Sequence, residues 1–179
     1  MNTRFALFLS AVILAFVMVA PAVARKALPA PYMIAGRVIR VADGDTLSLR
    51  DASGVKVIVR LAEIDAPERC QPFNRLSRAS LIELALERLV TVEVIDTDRY
   101  GRRVGRVMLE GERETANRIQ IQRGLAWVYT QYAYDKALQE LEREAVHAKL
   151  GLWVDDDPTP PWLWRRQHPR GKGCPREGS

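Results

Sequence analysis

The chain has 179 residues, 27 Lys and Arg against 22 Asp and Glu, a net charge of +5 and 47% hydrophobic residues; this suits one globular domain with a real core and is short for two. Two histidines and two cysteines, none at the short spacings such sites use, argue against a four-ligand Cys/His zinc site and a haem motif, so a bound metal would take oxygen ligands, as calcium, magnesium and manganese do. Net charge speaks to solubility and non-specific attraction to anions, and says nothing of fold or chemistry.

Residues 1–24 read as a signal segment: Arg4, an apolar run from Phe5 to Ala20 broken only by Ser10, and the small-x-small pattern Ala22-Val23-Ala24. The run is shorter than the roughly 20 residues of a spanning helix. The expectation is therefore cleavage after Ala24, a periplasmic or secreted product, and no transmembrane span in the mature chain, with an uncleaved membrane anchor as the minority reading. Export places Cys70 and Cys174 in an oxidising compartment, where they pair if the fold brings them within disulfide reach and otherwise remain two unrelated thiols.

After a linker over 25–33, the pattern from Ile34 is β. Ile34 to Val41 is rich in branched residues, Leu47 and Leu49 alternate with polar neighbours, and Asp51-Ala52-Ser53-Gly54 supplies a turn. Val55, Val57, Val59 and Leu61 then fall on one face of a strand, which aims Arg60 to the other. A helix is predicted from about Asn74, as N-cap, to Leu89, with Leu76, Ala79, Ile82, Leu86 and Leu89 inward. Strands at Thr91 to Ile95 and Val104 to Leu109 flank a turn at Arg99-Tyr100-Gly101-Arg102. A helix near Thr115 to Arg123 stops at Gly124, and one near Asp135 to Leu150 stops at Gly151, with Leu138, Leu141, Ala145 and Ala148 inward. Five strands and three helices over 34–153 predict an α+β, mainly β architecture: a small barrel with helices packed on it.

Residues 154–179 change character, from Asp155-Asp156-Asp157 through a proline cluster to a basic end, and read as an extended tail docked by Trp162, Leu163 and Trp164. The tail also explains the net charge, because Arg25 to Trp164 holds 21 basic and 21 acidic side chains. His147 and His168 have no partner pattern and read as surface residues.

Three clusters carry chemistry. Asp43-Gly44-Asp45-Thr46 is, taken alone, an ordinary Asp-Gly hairpin turn. Arg60-Leu61-Ala62-Glu63-Ile64-Asp65-Ala66-Pro67-Glu68 ends a strand in two carboxylates around a rigid proline. A hard divalent ion would take Asp45 and Asp65 and leave Glu68 to accept a proton from water; the bland alternative is a loop pairing locally with Arg60 and Arg69. Asp98-Arg99-Tyr100-Gly101-Arg102-Arg103 is a basic, aromatic turn from which Arg102, with Arg60, would grip a phosphate. Together they form a complete set for metal-assisted phosphodiester hydrolysis.

These motifs, with Gly124-Leu125-Ala126-Trp127-Val128-Tyr129 and Gly151-Leu152-Trp153, resemble the staphylococcal nuclease family in order and spacing across about residues 34 to 153. The resemblance implies a five-stranded OB-fold barrel, Ca2+ dependence, and a monomer cleaving DNA and RNA, preferably single-stranded. It makes Asp45, Asp65 and the Ala66 carbonyl the calcium ligands, with Asp43 behind them, Glu68 the general base, and Arg60 and Arg102 the phosphate-binding groups. Tyr100 matches a substrate-contacting tyrosine, and a second is Tyr129 or Tyr132, since the chain is shorter than the family between Ala126 and Trp153. Read from pattern alone, Trp127 and Tyr129 are core residues of an apolar strand rather than base-stacking ones. The rival reading is a non-catalytic nucleic-acid- or protein-binding OB module, in which a broken carboxylate and arginine set is expected; here all five side chains are present.

Overall fold

The computed structural model describes residues 30–131, 133 and 135–168. The expected signal segment, Tyr132 and Cys174, and with it any Cys70 to Cys174 bridge, lie outside the described residues. In chain order the elements are β1 (Tyr32–Asp43), β2 (Thr46–Asp51), β3 (Lys56–Leu61), β4 (Ile64–Asp65), α1 (Asn74–Ala85), β5 (Leu89–Thr97), β6 (Arg103–Leu109), α2 (Ala116–Gln122), β7 (Trp127–Val128), α3 (Lys136–His147), a 3₁₀ turn (Gly151–Val154) and α4 (Pro161–Gln167).

Five strands close into a barrel in the order β1-β2-β3-β6-β5. Closure depends on the length of β1, whose first half pairs with β5 and whose second half pairs with β2, both antiparallel. Register shifts between Val38 and Arg40 and between Val41 and Asp43 mark irregularities at which the strand bends, as bulges do in small barrels. The seam between β3 and β6 is parallel, so the chain must cross over between them, and α1 lies in that crossover. β4 and β7 form a separate two-stranded ribbon.

Alternation fills the barrel: Val38, Val41, Leu47, Leu49, Val59, Leu61, Val92, Val94 and Val107 are buried almost completely. Each such side chain contributes about 1.5–3 kcal/mol of apolar burial. In β3 the expected stripe holds for Val59 and Leu61, whereas Val55 precedes the strand and is exposed.

The helices deviate in informative ways. The N-cap of α1 is Phe73, in a left-handed conformation, and Asn74 is the first helical residue; its amide instead donates to the Pro67 carbonyl at 2.7 Å. The inward face is Ser77, Ser80, Leu81, Leu84 and Ala85, one residue out of phase with the expected stripe. Leu76 is 52% exposed, and Leu89 belongs to β5. The phase is set by close approach to the barrel, which admits serine and excludes leucine. In α3, capped by Asp135, Leu138 and Ala145 are buried, Leu141 is partly buried and Ala148 is exposed.

A buried polar pair on α2 ties helices to barrel. Asn117 Nδ2 donates to the Ala62 carbonyl at 2.9 Å and the Gly105 carbonyl at 3.2 Å, while its Oδ1 accepts the Val107 N–H at 3.0 Å. Gln120 Nε2 donates to the carbonyls of Gly44 at 2.7 Å and Ser77 at 3.1 Å.

Glu142 on α3 accepts the Val128 N–H at 2.8 Å, and burial raises its pKa against that hydrogen bond. A carboxyl raised on folding takes up protons relative to the unfolded chain, so it contributes stability below its unfolded pKa that is lost as pH rises through the folded one. Glu142→Gln keeps the acceptor and removes the buried charge. Its Tm is expected to exceed wild type at pH 8 and to match it at pH 4; an equal difference at both pH values in thermal melts would refute the assignment.

The tail is not wholly extended. Pro158 to Pro160 form no regular structure, but Pro161 starts α4 at N1, where its missing N–H is harmless and its fixed φ suits a helix. Among the described residues no helix is long and apolar enough to cross a membrane.

Candidate functional site

The Asp-Gly turn after β1 is more than a hairpin link. A Cβ placed on Gly44 would stand 1.8 Å from Ser77 Oγ and 2.9 Å from Ala66 Cβ, so only glycine lets the turn lie against both α1 and the loop after β4. Gln120 holds the Gly44 carbonyl from below, and Ser77 Oγ is itself fixed by donating to the Leu125 carbonyl at 2.7 Å. The turn that carries Asp43 and Asp45 is thus locked to the segment that carries Asp65.

Asp45 is buried, and each of its oxygens has a partner. Oδ1 accepts the Thr46 hydroxyl at 2.9 Å, while Oδ2 accepts the Ala66 N–H at 2.7 Å and pairs with the Arg60 guanidinium. Arg60 projects from β3 away from the barrel core, as the strand alternation predicts, and its Nη2 donates to Asp65 Oδ1 at 2.8 Å. Burial opposes the charge on Arg60, but the carboxylates of Asp45, Asp65 and Asp43 outweigh it and raise its pKa. Glu68 lies one short loop further on, partly exposed, with its N–H donated to Gln71 Oε1 at 2.9 Å. The structure therefore brings together Asp43, Asp45, Arg60, Asp65, Ala66 and Glu68 from three chain segments.

Crowding shows in the acidities. Burial, followed by the neighbouring charge of Asp45, pushes the Asp43 carboxyl up to about 7 from an ordinary 3.8. Burial also raises Asp65, against the hydrogen bonds of Arg165 and the charge of Arg60. The donor set of this cluster is all oxygen, which fits a hard cation.

The cation in place is a side chain that sequence reasoning assigned to the basic tail. Arg165, on α4, donates from Nη2 to Asp65 Oδ2 at 2.8 Å and from Nη1 to Asp65 Oδ1 at 3.2 Å and Glu68 Oε1 at 2.6 Å. Its guanidinium is a stand-in ion for the cation that this donor set would accept. Among the described residues no group of three or more His, Cys, Asp or Glu is arranged to hold a metal ion; the carboxylates of Asp45, Asp65 and Glu68 pair with Arg60 and Arg165. No sequence signal pointed to Arg165, which lies 100 residues from Asp65.

Arg102 and Tyr100 lie on the turn between β5 and β6. Arg102 Nε donates to Asp98 Oδ2 at 2.7 Å, and its guanidinium lies 5.6 Å from the ring centre of Tyr100, which is 58% exposed. Burial works against the Asp98 charge, but hydrogen bonds from Arg102 and the Tyr100 backbone prevail and lower its pKa. The turn is placed beside β3 by the pairing of Val59 with Arg103. Trp127 is buried, as the core reading expects, whereas Tyr129 is partly exposed and stacks on Trp162 of α4, ring centres 5.6 Å apart and planes 8° from parallel.

The family profile described as Staphylococcal nuclease homologue matches residues 58–155, a span that holds Arg60, Asp65, Glu68 and Arg102 and begins after Asp45. An uncharacterized endonuclease of Escherichia coli O157:H7 is 44% identical over 134 residues, 75% of this chain and 86% of that protein. Protein ParB of Escherichia coli is 38% identical over 151 residues, 79% of this chain and 84% of its own length. A micrococcal nuclease of Shigella flexneri is 37% identical over 148 residues, covering 78% and 84%.

Proposed function

Because the chain belongs to the staphylococcal nuclease family, we propose that it is a Ca2+-dependent nuclease that hydrolyses phosphodiester bonds of DNA and RNA, with single strands preferred. The observation that carries this reading is the convergence of Asp45, Asp65, Glu68 and Arg60 at one end of the barrel, on a chain whose relatives include an endonuclease and a micrococcal nuclease.

Asp45, Asp65 and the Ala66 carbonyl would hold calcium, which when bound supplies positive charge against the phosphate and the attacking water. Glu68, on the exposed side of the cluster, accepts the proton of that water. Arg60, oriented by two carboxylates, donates to a non-bridging phosphate oxygen. Arg102 uses Nε on Asp98 and keeps its terminal N–H groups for the phosphate, where they stabilise charge that grows in the five-coordinate transition state. Asp43 donates or accepts hydrogen bonds behind Asp45, whose N–H it holds at 3.2 Å. Tyr100 offers an exposed ring to the substrate beside Arg102, and Tyr129, whose ring now stacks on Trp162, is the second substrate-contacting tyrosine. The reading includes export to the periplasm or medium.

Incubating the protein with a single-stranded DNA oligonucleotide is expected to give cleavage with calcium and none with a chelator. Cleavage that persists in chelator overturns the calcium requirement, and intact binding without cleavage in calcium replaces the enzyme with a binding module of the same fold.

A further inference from the structure

We propose that α4 is a lid over the candidate site, and that a divalent cation and the Arg165 guanidinium occupy the Asp65 and Glu68 carboxylates in mutual exclusion. This rests on the preceding reading of Asp45 and Asp65 as cation ligands. Arg165 covers both oxygens of Asp65 and one of Glu68. While it stays, Asp65 has no oxygen free of a guanidinium for a metal, and the oxygen of Glu68 that it holds is already committed to a donor.

The lid is built to come off as a unit. Of its residues only Pro161 is buried, Leu163 is 37% exposed, and Trp164 stacks on His168 at the end of the same segment. Among the described residues its attachments to the body include the Arg165 ion pairs, the stack of Trp162 on Tyr129, and the hydrogen bond from Gln71 Nε2 to the Thr159 carbonyl at 2.6 Å. The Pro158 to Pro160 stretch before it is a stiff arm on which so short a helix swings without unfolding the barrel. Withdrawal of Arg165 carries Trp162 with it, so one movement frees the carboxylates and uncovers the face of the Tyr129 ring.

Charge decides the competition. Arg165 brings one positive charge, spread over a guanidinium and one-third exposed to water, whereas a divalent ion brings two to the same oxygens. The lid therefore closes when cation is scarce and opens when it is abundant, so that the site is blocked in calcium-poor surroundings.

The test uses the full chain and calcium chloride alone. In isothermal titration calorimetry, Arg165→Gln is expected to bind calcium at least tenfold more tightly than wild type, while Arg166→Gln, an exposed neighbour of the same charge, leaves the Kd unchanged. Asp65→Asn is expected to abolish binding. In the unaltered protein, the amides of residues 162–168 are expected to exchange hydrogen several-fold faster in saturating calcium than in chelator. A Kd for Arg165→Gln within twofold of wild type, with binding lost in Asp65→Asn, overturns the lid and leaves the cation site standing. Unchanged exchange of the α4 amides on adding calcium also overturns it. Undiminished calcium binding by Asp65→Asn overturns the site reading itself, and the lid with it.

Discussion

Glu68→Gln is expected to lower the turnover of single-stranded DNA by about 10²- to 10⁴-fold, the usual contribution of a positioned general base, with Tm changed by no more than a few degrees. Glutamine has the shape of glutamate and keeps an oxygen for Arg165 Nη1, which now donates to Glu68 Oε1 at 2.6 Å, so the loop after β4 has no reason to move. What it lacks is a lone pair basic enough to take the proton from water. Glu68 is also more exposed than the two aspartates read as cation ligands, its side chain 29% accessible against 8% for Asp45 and 1% for Asp65, so it meets solvent directly. Binding of the oligonucleotide should stay within a few-fold of wild type, because in the proposed chemistry Arg60 and Arg102 hold the phosphate. Steady-state kinetics with a fluorogenic oligonucleotide separates the terms. A variant that retains more than a tenth of wild-type kcat removes Glu68 from the role of base.

Asn117→Ala is expected to be strongly destabilising. The side chain is 2% exposed and serves three backbone groups at once. The Gly105 carbonyl keeps a second donor, the Ala62 N–H at 2.8 Å, but the Ala62 carbonyl and the Val107 N–H lose their side-chain partner in the interior. A buried backbone group left unsatisfied costs about 1–3 kcal/mol, which for two such groups puts the loss at roughly 2–6 kcal/mol and the fall in Tm at about 5–20 °C for a domain of this size. The damage should also reach the site, because Ala62 lies between Arg60 and the β4 ribbon that carries Asp65. Circular dichroism melts measure the first effect and calcium titration the second. A melting shift of under about 3 °C would mean that water replaces the amide, and that α2 is not pinned to the barrel through Asn117.

Both expectations turn on groups that were unequally visible beforehand. Glu68 could be singled out because Asp65, Pro67 and Glu68 follow a strand whose alternation is plain, and because the same short stretch resembles a nuclease motif. Asn117 could not, since an Asn inside a seven-residue helix looks like any polar helical position until the end of β3 and the middle of β6 are seen to lie beside it.

The same division runs through the fold. Barrel strands were legible wherever a branched residue recurred every second position, and turns wherever glycine or aspartate demanded one. The phase of α1 was not, because its buried face includes Ser77 and Ser80, whose small size against Gly44 matters more than their polarity. Nor was α4, since a proline cluster reads as extended chain while the last proline of the cluster is well placed to begin a helix. The second tyrosine narrowed only in part: Tyr129 is partly exposed beneath Trp162, while Tyr132 lies outside the described residues.

By itself the sequence determined the strand alternation, the family, and the set of carboxylates and arginines, because each is written in neighbours within a few positions of one another. Only the tertiary structure decided which cation those carboxylates face. Arg165 meets Asp65 across 100 residues, and a charge in a basic tail carries no mark in the sequence of the pocket into which the folded chain will turn it.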